Sequence, residues 1–173
     1  MRDIYVVGDA NVDIIVPYPR FLNEERTLVD YPNPELVGGG TSANTAVALA
    51  KLGLPVSFLG TIGDDQYGKY IQKDFKEQGV NTADLIVDPK LNTVGVFAFI
   101  DENGERYLWG WPRVDQAFKV LERDKVPFEK IEAADWVHSS GMSLVYDTSA
   151  RTEIIEIFKK AYEAGVPLSL IHI

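Results

Sequence analysis

The sequence predicts a layered α/β fold, a core sheet of buried strands with flanking helices over which a small β-sheet packs. Three observations carry that expectation. Ile4-Tyr5-Val6-Val7-Gly8 is short, β-branched and apolar throughout, the pattern of a strand buried on both faces. Segments with apolar residues at helical spacing alternate with further runs of that kind. Between them, Val94 to Ile100 and Arg106 to Trp109 flank Asp101-Glu102-Asn103-Gly104, whose Asn-Gly turn chemistry marks an antiparallel hairpin.

In chain order, the first strand is followed by Ile14 to Val37, where Pro17, Pro19, Pro32 and Pro34 suit edge strands or turns better than helix. Gly38-Gly39-Gly40 then stands before Ala43, Ala46, Val47, Ala50 and Leu52, which recur at helical spacing. Val56-Ser57-Phe58-Leu59-Gly60 reads as a second core strand, and a helix through Tyr70, Ile71 and Phe75 stops at Gly79, a glycine suited to the left-handed C-terminal position. After the hairpin, Trp136 to Ser139 is another buried strand. Glu153 to Ala164 is a helix with Ile154, Ile155, Ile157, Phe158 and Ala161 inward and Gly165 as its stop, and Val166 opens one more strand. The hairpin and Ile14 to Val37 together form the expected small sheet, and no internal repeat is visible.

Composition removes several classes of function. At 173 residues with 46% hydrophobic content, the chain is long enough to bury the core of one domain. A formal charge of -9 without clustered Lys and Arg argues against a nucleic-acid partner. The absence of cysteine removes disulfides and thiolate zinc sites, and His138 and His172 are too far apart for a local metal motif, so no protein-held metal is expected. No apolar run reaches the ~18 residues of a membrane span, and Met1-Arg2-Asp3 leads into a strand-like run rather than a signal sequence. No membrane partner and a cytoplasmic setting are expected.

A glycine turn at a helix start suggests phosphate, because free backbone N–H groups and the helix dipole favour an anion there. Two phosphate motifs nearly match. "GDDQYGKY", Gly63 to Tyr70, follows the P-loop pattern up to Lys69, then places Tyr70 where a hydroxyl should bind Mg²⁺; Asp64 and Asp65 would also repel phosphate, and either carboxylate suits a helix cap. Gly38, Gly40 and Ala43 match the dinucleotide fingerprint, but Tyr31-Pro32-Asn33-Pro34-Glu35 precedes them instead of a buried strand. "VVGDANVDIIV", Val6 to Val16, is more informative. If the strand continues past Gly8, Asp9, Asn11 and Asp13 share one face. Asn donates and accepts while Asp accepts, which suits a polyol, although Asx residues also form turns. Asn44, one or two residues into the helix and within capping distance of the glycine turn, adds a second amide, and glycines without Cβ let a sugar lie against the main chain.

Gly8-Asp9-Ala10-Asn11-Val12-Asp13, Gly38-Gly39-Gly40-Thr41-Ser42-Ala43-Asn44 running into Ala46 to Gly53, and Gly63-Asp64-Asp65-Gln66-Tyr67-Gly68 resemble, in this order, the motifs of the ribokinase-like (PfkB) carbohydrate kinases. The resemblance implies a ribokinase-like, Rossmann-like core and transfer of the γ-phosphoryl of ATP, with Mg²⁺, to a sugar hydroxyl. By position it assigns the small-molecule sugar to Asn11, Asp13, Gly39, Gly40 and Asn44. It makes 1–173 the N-terminal part of one kinase domain and turns segments of about 14–37 and 91–112 within it into a lid, often also the family's dimer contact, so a homodimer is expected. The resemblance covers nearly the whole chain but only the first half or so of a family member. The GAGD stretch, where family kinases keep the catalytic aspartate, the anion hole and much of the ATP site, does not occur here. The C-terminal half of the fold is therefore expected to be missing, with no catalytic residue in this chain and no activity from it alone.

Three departures bear on the substrate. Thr41 stands where ribokinases proper carry lysine, Ser42 where the family usually has Gly, Ala or Pro, and Ser139-Ser140-Gly141 lacks the acidic sugar contact of ribokinases. Trp109 and Trp111 suit either sugar stacking or lid packing, and Arg113 either a substrate carboxylate or solvent. Alternative functions are a nucleoside kinase of the same fold, a non-catalytic sugar-binding or dimerising module, and an NAD-dependent oxidoreductase. Leu168 to Ile173 also matches what a transposase end sequence used in DNA library preparation encodes. The tail from Leu168 or Leu170 is accordingly expected to be foreign, with a genuine apolar strand as the alternative.

Overall fold

The computed structural model describes residues 3–17 and 33–172, so Pro19, Pro32 and Ile173 lie outside the described residues. The chain runs through β1 (Ile4–Val7), β2 (Asn11–Pro17), β3 (Glu35–Gly39) and α1 (Thr41–Lys51). It continues through β4 (Val56–Leu59), β5 (Thr61–Gly63), α2 (Gln66–Gln78), β6 (Ile86–Asp88) and the hairpin β7 (Gly95–Ile100) and β8 (Arg106–Trp111). It ends with α3 (Phe128–Glu132), β9 (Trp136–Ser140), α4 (Ser149–Glu163) and β10 (Leu168–Ile171).

The core sheet is parallel throughout, in the order β10-β9-β1-β4, with Val6 opposite Phe58 on one side and His138 on the other. Successive strand side chains point to opposite faces, and both faces of β1 are buried. Tyr5 and Val7 pack with Ile131, Ile154 and Ile157 of α3 and α4, whereas Val6 packs with Ala43, Ala46, Ile71 and Phe75 of α1 and α2. Two covered faces explain why β1 shows no polar alternation. The second sheet has the order β3-β2-β7-β8, with β2 and β7 parallel and the outer pairs antiparallel. A pair, β5-β6, completes the strands of the described residues.

One expectation fails at Gly8. The first strand does not run on to Asp13; it ends at Val7, and the chain turns at Gly8, whose φ is +146°, into the second sheet. Asn11 and Asp13 do share a face of β2, opposite the buried Val12 and Ile14, but Asp9 belongs to the link. Helix ends follow their chemistry. Asp65 caps α2 and Gly79 closes it in the left-handed conformation, and Thr148 caps α4 ahead of Gly165. Two apolar residues of the helical runs, Leu52 and the Ile155 read as inward, lie outside. Leu52, 77% exposed, follows the last helical residue of α1, and Ile155, 41% exposed, is turned about 100° away from the buried Ile154. No helix among the described residues is long and apolar enough to cross a membrane.

Candidate functional site

β2 and β3 present the first polar group. Asn11 lies opposite Gly39 in the antiparallel register, and its amide Nδ2 donates to Asp13 Oδ1 at 2.8 Å. A Cβ at Gly39 would fall 2.6 Å from that carboxylate oxygen and 2.7 Å from Nδ2, so only glycine leaves the pair uncovered. Burial raises the Asp13 carboxyl above its ordinary value, against the opposing effects of the Asn11 hydrogen bond and the Arg106 charge.

The glycine turn holds an anion, and the anion belongs to the chain itself. Gly40, at φ +100°, opens α1 without a side-chain cap, and no acidic residue occupies the first turn. Asp9 supplies the missing acceptor from 32 residues earlier: Oδ2 accepts from Thr41 N–H at 2.7 Å and Oδ1 from Ser42 N–H at 3.2 Å. Its backbone carbonyl accepts from Ala43 N–H at 3.1 Å. Phosphate or a dinucleotide pyrophosphate placed there would meet a carboxylate already satisfying the helix dipole. Asn44 is accordingly not the cap. It is the fourth residue of α1, exposed, with its own N–H bonded to Gly40 O at 2.8 Å. The expected placement one or two residues into the helix is corrected, since the helix begins at Thr41. Asp9, read in the sequence as sharing a face with Asn11 and Asp13, instead serves the start of α1.

The start of α2 is closed in the same manner. Asp65 accepts from Gly68 N–H at 2.8 Å and from Thr93 N–H at 2.7 Å, while Lys69 pairs with Asp64 at 3.2 Å on the surface. The near-P-loop is thus a capped strand-to-helix turn.

Asn11, Gly39 and Asn44 line one hollow of about 450 Å³, bounded further by Lys51, Tyr70 and Asp74. Asn11 also borders a second hollow of about 180 Å³, with Asp9 and Gln116 as polar neighbours and Val96, Phe118 and Tyr146 among its walls. Asp13 lines neither and reaches them through Asn11, and Gly40 lies behind, its Cβ position 2.8 Å from Asp9 O. Trp109 and Trp111 line neither; Trp109 packs at a tilt against Phe97 at 5.7 Å and against Trp111 at 6.0 Å on the second sheet. Arg113 is exposed and away from both. Among the described residues no cluster of His, Cys, Asp and Glu is arranged to hold a metal ion. The amides of Asn11 and Asn44, the carboxylate that Asn11 bonds and the bare main chain at Gly39 together match hydroxyl groups, which both donate and accept.

The pfkB family carbohydrate kinase model matches residues 1–170. A fructokinase of Vibrio alginolyticus is 35% identical over 167 residues, covering 95% of this chain and 48% of that protein. A 5-dehydro-2-deoxygluconokinase of Bacillus subtilis is 38% identical over 171 residues, covering 97% of this chain and 50% of that protein. The fold matches that of a Xylella fastidiosa fructokinase solved with bound ATP, with a TM-score of 0.82 at 23% identity, over 99% of this chain and 49% of that one. The chain spans about half the length of the relatives it matches.

Proposed function

The chain belongs to the pfkB family of carbohydrate kinases, and from that premise we propose that it forms the acceptor-sugar side of an ATP-dependent sugar kinase. Asn11, Asp13, Gly39, Gly40 and Asn44 hold the sugar. What most supports this reading is the convergence of Asn11, Gly39 and Asn44 on one polar hollow, with Asp13 bonded to Asn11. Asp13 accepts from sugar hydroxyls, the two amides donate and accept, Gly39 admits the ring to the main chain, and Gly40 lets the turn behind it form. Holding the acceptor in one orientation supplies much of the catalysis in phosphoryl transfer. ATP with Mg²⁺ supplies the phosphoryl group when bound. The helix starts described here do not fit it, because Asp9 and Asp65 fill the anion positions of α1 and α2. The donor is assigned to other parts of the kinase.

The second sheet acts as the lid over this site, and its exposed β8 residues Tyr107, Leu108, Trp109 and Trp111 support a homodimer through the lid. The cytoplasm is the proposed setting. A second reading takes a ribonucleoside as acceptor, supported by Phe118 and Tyr146, edge to face at 6.2 Å beside Asn11. Calorimetric titration with ketoses, aldoses and ribonucleosides tests both readings. A saturable heat with a sugar, lost in Asn11→Ala, is expected; binding of ribonucleosides alone moves the assignment to the second reading, and heat from neither class overturns both.

A further inference from the structure

We propose that Asp9 is the positioning residue of this site, tying the first turn of α1 to the end of β9 so that Asn44 and the glycine turn keep their place against Asn11; the inference rests on the sugar-binding reading above. Besides the amides of α1, Asp9 Oδ1 accepts from Ser42 Oγ at 2.8 Å and from Ser140 Oγ and Ser143 Oγ at 3.1 Å each. Every hydrogen bond that Asp9 makes among the described residues goes to α1, to Ser140 or to Ser143, so the carboxylate is held within the chain's own network. Asp9 therefore acts through the groups it holds.

Those groups come from separate parts of the chain. Ser42 belongs to α1, Ser140 ends β9, and Ser143 lies in the turn Gly141–Leu144 that follows. All three serines are buried, and a buried hydroxyl without a partner is costly, so the carboxylate satisfies them as they satisfy it. Bonds to an ionised acceptor are roughly twice as strong as neutral ones, and the dipole of α1 adds to them. Space is made by Gly8, where any Cβ would collide with the hydroxyls of Ser42 and Ser143. The hub stands beside Asn11 on the smaller hollow, and α1 carries Asn44 on the larger one. A shift of α1 by about 1 Å would separate the two amides from a common ligand, and misplacement of that size costs of order a hundredfold in positioning-dependent reactions.

The test measures the affinity of the 173-residue chain for D-fructose and D-ribose by NMR titration, well below its melting temperature. Asp9→Asn retains one acceptor oxygen but turns the other position into a donor, so it cannot serve both α1 and the serines. It is expected to bind at least about tenfold more weakly. Thr148→Ala removes the cap of α4, lines neither hollow, and is expected to lower the melting temperature with affinity unchanged. The double variant Ser140→Ala with Ser143→Ala keeps the α1 bonds and is expected to lose about threefold in affinity, a readout that holds even where Asp9→Asn fails to fold. Unchanged affinity in either hub variant, while Asn11→Ala binds weakly, overturns the role of Asp9 alone. So does an affinity loss in Thr148→Ala equal to that of Asp9→Asn, which would make stability the cause. A wild-type chain that binds neither sugar, or an Asn11→Ala chain that binds as wild type, overturns the sugar-site reading and the role of Asp9 with it.

Discussion

Asp13 carries opposing demands, and pH separates them. Its burial raises the carboxyl pKa in the folded chain above the ordinary value of 3.8, so ionisation costs folding free energy. Below 3.8 both folded and unfolded chains hold the proton and the cost is absent; it develops as pH rises through the raised folded value and is fully present above it. Asp13→Asn cannot ionise. Thermal melts should therefore show it more stable than wild type at pH 7 and no more stable at pH 3, while calorimetry shows weaker sugar binding. Asp13→Ala should lose roughly 1.5 to 3 kcal/mol of sugar affinity, about ten to a hundredfold. Asn44→Ala should weaken binding with an unchanged ligand-free melt, because Asp9 and not Asn44 caps α1. A lowered melt would return the cap to Asn44.

Among the elements, the turn between β5 and α2 shows how a motif can resemble one chemistry and perform another. Asp65 bonds both Gly68 and Thr93, fastening α2 to the approach to β7. Asp65→Ala should destabilise the chain by about 1 to 2 kcal/mol, lowering the melting temperature by several degrees. A melt equal to wild type would deny the cap its structural role. The elements were largely legible because their signals are local. β1 reads as doubly buried, α2 ends at Gly79, and Asn-Gly turns the hairpin, each within a few residues. Asn11 and Asp13 were legible as a same-face pair because a strand has period two. The break at Gly8 was not, since a glycine in an apolar run marks freedom without direction. Nor was the hub at Asp9, whose partners Ser42, Ser140 and Ser143 lie 33, 131 and 134 residues away.

At the scale of the whole molecule, the two sheets divide the work. The core sheet ends at the Asp9 hub, and the second sheet supplies Asn11, Asp13 and Gly39 from its own strands. The outer strand β8 leaves Trp109 and Trp111 46% and 54% exposed, next to Phe97. Replacing both tryptophans with lysine should shift a lid-mediated dimer to monomer in sedimentation without a comparable loss of sugar affinity. An unchanged sedimentation profile would remove the lid as the contact. The central claim is that this chain holds a sugar between β2, β3 and the start of α1. Its most direct measurement is a backbone ¹⁵N map of the ligand-free chain titrated with D-fructose and D-ribose. The prediction is saturable movement centred on the amides of Asn11, Asp13, Gly39, Gly40 and Asn44, abolished in Asn11→Ala; movement centred elsewhere, or none with either sugar, would contradict it.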